Sequence, residues 1–204
     1  MKIIIITGPP YSGKGTQCEK LLEDYDLVHV STGEHIRQEK EDNTELGRIM
    51  SDYDVKGLLV PDEIMKKLLD KLITENLDSK GVILDGYPRT IPQVNDLIDV
   101  LKQKNLTIDK VLNIEVSHEE LLIRAKERAE SSDREDDKDI ETHHRRIRVF
   151  KEETLPAIEF MKNQFEVDTF DGMGSIKEVT SRIKACIQKS DSIQQLRKSG
   201  QELV

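Results

Sequence analysis

Residues Gly8 to Thr16 read GPPYSGKGT, directly after the apolar run KIIIIT (Lys2 to Thr7) and directly before a helical pattern that opens near Lys14. Backbone N–H groups of a tight glycine-containing turn converge on phosphate oxygens, and the start of the next helix adds partial positive charge. Gly8, Tyr11, Ser12, Gly13 and Gly15 make the turn, Lys14 can reach β- and γ-phosphates, and Thr16 places its hydroxyl one position later than a strict GK[ST] ending would. Tyr11 is the discordant residue, because a side chain costs energy wherever such a turn needs φ > 0. A second chemical group lies in LDGYPRTIPQ, Leu84 to Gln93. Asp85, at a strand end, suits a Mg²⁺ ion held through its water shell. Gly86 lets the backbone come close to a ligand, and Pro88 fixes the turn. Arg89 offers a planar fork, and Gln93 presents a donor and an acceptor to a base edge.

These groups need a scaffold that puts turns at strand ends. Five short apolar, β-branched runs read as strands: Lys2 to Thr7, Leu27 to Val30, Val82 to Asp85, Lys110 to Val116 and Glu166 to Phe170. Longer amphipathic stretches separate them. Buried runs such as IIII and VILD, each followed by a glycine and a helix, predict an α/β fold with a parallel sheet wrapped by helices on both faces. In HEELLIRAKERAE, His118 to Glu130, Leu121, Leu122 and Ala125 take core-facing spacing while Arg124 and Arg128 share another face at i, i+4. The hydrophilic run Ala129 to Asp139 reads as a solvated loop, and Lys189 to Val204 as a frayed helix or loose tail.

Lys and Arg total 31 against 40 Asp and Glu, a formal charge of −9, so the global field opposes nucleic acid and anionic membranes. Any anionic ligand must meet a local basic cluster. Cys18 and Cys186 lie far apart with no CxxC or Cys/His spacing, which argues against a disulfide framework or a zinc site and predicts a reducing, cytoplasmic setting. The apolar run after Met1 is too short for a signal sequence or a membrane span. His143 and His144 are neighbours on a helical pattern and face apart, so solvent exposure is expected of both and a metal site of neither.

Further blocks follow the phosphate turn in order. STGEHIR, Ser31 to Arg37, resembles the STGDxLR segment of adenylate kinases, and KGLLVPDEI, Lys56 to Ile64, resembles their GxLVPDEI. The block LDGYPRTIPQ and the loop SSDREDD complete the likeness, the latter to the short-lid pattern R-x5-R-x-D-D with Arg128, Arg134, Asp136 and Asp137. Alone, each block has a plain structural reading: a helix N-cap at Ser31-Thr32, a helix start at Val60 to Glu63, a surface charge at Arg89, a charged loop after Arg128. Their order behind one phosphate turn favours the functional reading. Tyr11 stands where the family commonly has glycine, and Asp133 where it has glycine before Arg134.

The resemblance runs from Lys2 to about Gln188 and implies a P-loop nucleoside-monophosphate kinase fold. A single kinase domain over 1–188 is expected, with an acceptor-binding helical segment near 31–72, a lid near 128–139 and a tail over 189–204. The implied reaction moves phosphate reversibly from MgATP to AMP, giving two ADP, in a monomer with Mg²⁺ and no zinc. In that reading Lys14 and the loop hold the donor phosphates and Gly174 lies beside the ATP adenine. Thr32, Arg37, Leu58, Leu59, Val60, Gly86, Tyr87, Pro88, Arg89 and Gln93 bind AMP. Arg128, Arg134 and Arg146 stabilise the migrating group, with Arg146 chosen over Arg145 by counting ten residues back from Pro156. The rivals are a UMP/CMP kinase of the same fold, which Thr32 and Gln93 disfavour, and a nucleotide-binding module that has lost catalysis.

Overall fold

The computed structural model describes residues 1–131 and 139–198, with side chains through Gln188. Its five strands are β1 (Lys2–Thr7), β2 (Val28–Ser31), β3 (Gly81–Asp85), β4 (Lys110–Glu115) and β5 (Val167–Asp171). They pair in the order β2-β3-β1-β4-β5, every pair parallel. Each lies within a residue of its expected bounds. This is the α/β architecture with a five-stranded parallel sheet that the sequence predicts.

Side chains alternate across a strand, so the IIII run of β1 feeds two cores at once. Ile3 and Ile5 enter one cluster with Leu69 and Leu72 of α4 (Asp62–Glu75), Leu97 of α5 (Ile91–Gln103) and Ile158 of α8 (Leu155–Lys162). Ile4 and Ile6 enter the other, with Leu21 of α1 (Lys14–Leu22) and Ile183 of α9 (Ile176–Lys198). Burying one such side chain fully is worth about 1.5–3 kcal/mol, which is why the central strand is apolar on both faces rather than alternating. Helix α9 continues to Lys198, past the 188 boundary drawn from the sequence.

Two short helices, α2 (Thr32–Glu41) and α3 (Glu45–Val55), follow β2 and are capped by the hydroxyls of Ser31 and Thr44. Helix α6 (His118–Ser131) and helix α7 (Ile140–Val149) flank the segment outside the described residues. Asp139 caps α7 through Glu141 and Thr142 N–H groups, as its short carboxylate at an N-cap should. A π-helical turn, Phe150–Thr154, joins α7 to α8. Pro156 has no N–H to donate and crowds the preceding turn, and a wider turn accommodates it without breaking the helix.

Parallel strands place all their carboxyl ends at one side, where open α/β sheets bind ligands. Ile6 pairs with Asp85 and Ser31 pairs with Asp85, so the turns after β1, β2 and β3 rise side by side.

Candidate active site

A cleft of about 490 Å³ opens above those strand ends. Its first wall is the turn after β1. Gly8 has φ +140, and a Cβ there would sit 2.4 Å from the Ile114 carbonyl oxygen of β4, so only glycine lets the loop lie this close to the sheet. Gly13, Lys14, Gly15 and Thr16 line the cleft at the opening turn of α1. The Lys14 ammonium donates to the carbonyls of Gly8, at 3.0 Å, and Pro9, at 2.8 Å, inside its own loop. Burial pulls its pKa down from 10.5 to about 8, with Asp85 opposing that shift and Arg89 adding to it. Ser12 is buried within the loop rather than lining the cleft, and its hydroxyl has no partner among the described residues.

The second wall is the turn after β3. Gly86 has φ +83, and a Cβ would come within 2.8 Å of an Arg89 guanidinium nitrogen. Any side chain at position 86 would therefore push Arg89 aside. Arg89 Nε donates to the Gly86 carbonyl at 2.7 Å, and its backbone N–H donates to Gln93 Oε1 at 2.7 Å. The Tyr87–Pro88 peptide is cis. Asp85 lines the cleft: burial alone would raise its pKa, but the hydrogen bond from His29 and the charges of Lys14 and Arg89 hold it below the usual carboxylate range. It is a charged oxygen donor near the cationic groups Lys14 and Arg89.

The third wall comes from α6, α7 and the end of α3. Arg128 and Arg146 both face the cleft, and Arg146 Nη2 also meets Asp54 Oδ1 at 3.5 Å. Arg145 is not on this wall; it donates to the Lys56 carbonyl at 2.7 Å. With Lys14, Arg37 and Arg89, five basic side chains converge on one cleft of a chain whose net charge is −9. That is the local cluster an anionic ligand requires.

Tyr11 has φ 68, the strained region anticipated for a side chain at this position. Its hydroxyl hydrogen-bonds His143 Nδ1 of α7, their rings meet edge-on with centroids 5.1 Å apart, and the Arg128 guanidinium sits 5.9 Å from the tyrosine ring centre. His143 is accordingly 2% exposed. The expectation of solvent exposure fails for His143, because a partner on the loop draws it inward, while His144 is exposed.

Arg37, Leu58, Leu59, Tyr87 and Pro88 line the cleft as well. Thr32, Val60 and Gln93 do not. Thr32 is buried and donates to the Asp85 carbonyl at 3.3 Å, Val60 faces the core, and Gln93 spends its amide on the Arg89 N–H and on Asp62 Oδ1, at 2.7 Å. Gly174 lies away from the cleft on the loop after β5. Arg134, with Asp133, Asp136 and Asp137, falls outside the described residues. Two residues were missed in the sequence. Asp54 faces the cleft beside Arg146, and Arg124 donates to the Gly172 carbonyl at 3.0 Å and the Ser12 carbonyl at 3.5 Å, bracing the phosphate turn from α6. The i, i+4 spacing of Arg124 and Arg128 was visible, but not the loop they share.

The sequence model of the adenylate kinase family matches residues 6–166. The chain belongs to the adenylate kinase family. An adenylate kinase of Parabacteroides distasonis is 40% identical over 184 residues, covering 90% of this chain and 96% of that one. Those of Porphyromonas gingivalis, at 39%, and Bacteroides thetaiotaomicron, at 38%, each align over 186 residues, 91% of this chain and 95% and 98% of theirs. The match spans the turn after β1, helices α2 to α5 and the arginine-bearing helices α6 and α7. No helix among the described residues of this family member is long and apolar enough to cross a membrane.

Proposed function

We propose that the cleft catalyses reversible transfer of a phosphoryl group from ATP to AMP, giving two ADP. The observation that carries it is the meeting of two phosphate-binding turns, one with Lys14 and one with Arg89, across a single cleft that Arg128 and Arg146 close on the third side. Phosphoryl transfer spreads charge over equatorial oxygens and needs no side-chain nucleophile, so positioned cations are the main contribution a protein can make. Lys14 and the turn's N–H groups hold the donor phosphates, Arg37 and Arg89 hold the acceptor phosphate, and Arg128 and Arg146 stabilise the migrating group. Arg134 has the same proposed role on sequence grounds.

The ionised carboxylate of Asp85 and the Thr16 hydroxyl, both on the cleft wall, are hard oxygen donors that fit a Mg²⁺ ion accompanying ATP. When bound there, the ion would neutralise charge on the phosphate oxygens. Gln93 and Thr32 remain the proposed readers of the acceptor base on the family resemblance, Gln93 exchanging its bond to Asp62 for one to the base. Cys18 and Cys186 are both outside any disulfide, which fits a reducing compartment, and we place the enzyme in the cytoplasm as a monomer.

The test is to incubate purified protein with MgATP and AMP, UMP or CMP in turn and resolve the products by anion exchange. ADP formation with AMP, and far slower turnover of the pyrimidine nucleotides, is the expected result. Equal turnover of AMP and CMP would overturn AMP as the acceptor.

A further inference from the structure

Cys18 of α1, His29 of β2 and Asp85 of β3 come from three separate elements and meet beside the opening turn of α1. Their ligating atoms all lie within 4.8 Å of one another. Cys18 is fully buried, and the side chains of His29 and Asp85 are only 12% and 13% exposed. His29 Nε2 and Asp85 Oδ2 are 3.3 Å apart.

A tetrahedral zinc ion, with bonds of about 2.0–2.2 Å to nitrogen and oxygen and about 2.3 Å to sulfur, spaces its ligand atoms about 3.3–3.6 Å apart. The His29–Asp85 edge already has that length. The sulfur lies no more than 4.8 Å from both other ligand atoms, so closing the triangle needs a movement of Cys18 toward the His29–Asp85 edge. We propose that Cys18, His29 and Asp85 form a binding site for a borderline-soft divalent cation of the Zn²⁺ type, with its fourth position open to water. Mg²⁺ is a poor occupant, because thiolate and imidazole are not ligands it selects.

Burial and the nearby Asp85 charge keep the Cys18 thiol protonated in the metal-free protein, so the metal must displace that proton. On binding, the Cys18 thiol gives up its proton to solvent and the His29–Asp85 hydrogen bond is replaced by two metal bonds, so a thiolate and a carboxylate neutralise the dication. The consequence falls on the neighbouring cleft. Zinc takes the carboxylate of Asp85 away from the phosphate side and sets a second cation near Lys14, so it slows phosphoryl transfer instead of supporting it. No motif points to this site, since ligands at positions 18, 29 and 85 have no regular spacing.

Metal-free protein is titrated with ZnCl₂ in a calorimeter and, in parallel, with Co²⁺ as a spectroscopic stand-in. One equivalent should bind, and cobalt should show a thiolate charge-transfer band. Cys18→Ala and His29→Gln should each weaken Zn²⁺ binding at least tenfold and Cys18→Ala should abolish the band, whereas Cys186→Ala should change neither. Thermal melts without metal check that the variants fold; if Cys18→Ala does not, His29→Gln carries the test. Binding that survives both substitutions, binding that depends on Cys186, or no binding at all overturns the proposal. The readout is the metal itself, so a protein that binds zinc in this way but forms no ADP would sink only the kinase reading. With saturating MgATP and AMP, zinc should slow the parent and spare Cys18→Ala.

Discussion

Two phosphate-facing turns leave adjacent parallel strands, and they are braced in opposite ways. The turn after β3 is held by one compact network anchored on Asp62, the first residue of α4. Arg89 bonds back to Gly86, Gln93 bonds to the Arg89 N–H and to Asp62, and the Thr90 hydroxyl caps α5 while meeting the same Asp62 carboxylate at 3.2 Å. The turn after β1 leans on other elements: Arg124 reaches it from α6, and Tyr11 reaches out of it to His143 of α7. The difference separates two ways of offering a cation. Arg89 is presented by a network, closed through Asp62 of α4, that in the proposed reaction needs no rearrangement, whereas Lys14 is parked on its own loop carbonyls and would exchange them for phosphate oxygens.

The largest effect should follow from removing the cation that changes partners. Lys14→Met should lower kcat by on the order of 10²–10³-fold, the loss seen when a preorganised donor to a charged transition state is deleted. Steady-state kinetics with each substrate varied in turn will check it. A rise in the KM for ATP with kcat intact would mean that Lys14 contributes only ground-state binding.

Arg89→Ala should behave differently because its turn is rigid before and after the acceptor arrives. Uniform binding raises KM when it is lost. A charge-assisted hydrogen bond worth about 1.5–3 kcal/mol predicts a roughly 10- to 150-fold rise in the KM for AMP, with the KM for ATP nearly unchanged. If the KM for ATP rises equally, the two turns are not independent.

The same contrast decides what could be read before the structure. The β1 run, the β3 run and both turns were legible because each rests on local grammar: β-branched strands, glycine at forced backbone positions, proline in a turn. Arg146 over Arg145 was legible by counting from Pro156, and the structure turns Arg146 to the cleft and Arg145 to the Lys56 carbonyl. What depends on contacts between distant elements was not legible. Buried His143 meets Tyr11, 132 positions away, and Arg124 reaches the turn after β1 from α6. Gln93 is a further case, a polar side chain expected at a base edge whose amide is engaged by the Arg89 N–H and by Asp62, 31 positions away.

A pH profile sharpens the comparison, because burial lowers the Lys14 pKa to about 8 while Arg89 stays charged throughout the accessible range. The profile of kcat/KM for ATP reports the free enzyme. It should hold level below pH 8 and then fall about tenfold for each further unit as Lys14 loses its proton. Lys14→Arg should start lower but stay flat. The sign for stability is opposite: the folded pKa lies below the unfolded one, so burying the ammonium costs free energy below pH 8, and that cost fades as pH rises from about 8 toward 10.5. A parent profile that is flat to pH 9.5 would mean that Lys14 keeps its proton and is not the group that titrates.

The smallest expected effect tests whether Tyr11 braces the phosphate turn or merely strains it. Holding a non-glycine residue at φ 68 costs about 1–3 kcal/mol. Against that stand a hydrogen bond to His143, worth about 0.5–1.5 kcal/mol, and the Arg128 contact on the ring face, worth about 0.5–1 kcal/mol. Two variants separate these contributions. Tyr11→Phe keeps the strain and the ring but loses the hydroxyl, so urea denaturation should show it less stable by about 0.5–1.5 kcal/mol. Tyr11→Gly loses the contacts and the strain together, so its stability should stay within about 1 kcal/mol of the parent and its MgATP affinity within about tenfold. If Tyr11→Phe matches the parent while Tyr11→Gly binds MgATP far more tightly, the link to α7 contributes nothing and the tyrosine only distorts the cradle. If Tyr11→Phe is the less stable of the two, the loop tolerates its strained residue because α7 holds the far end of the side chain.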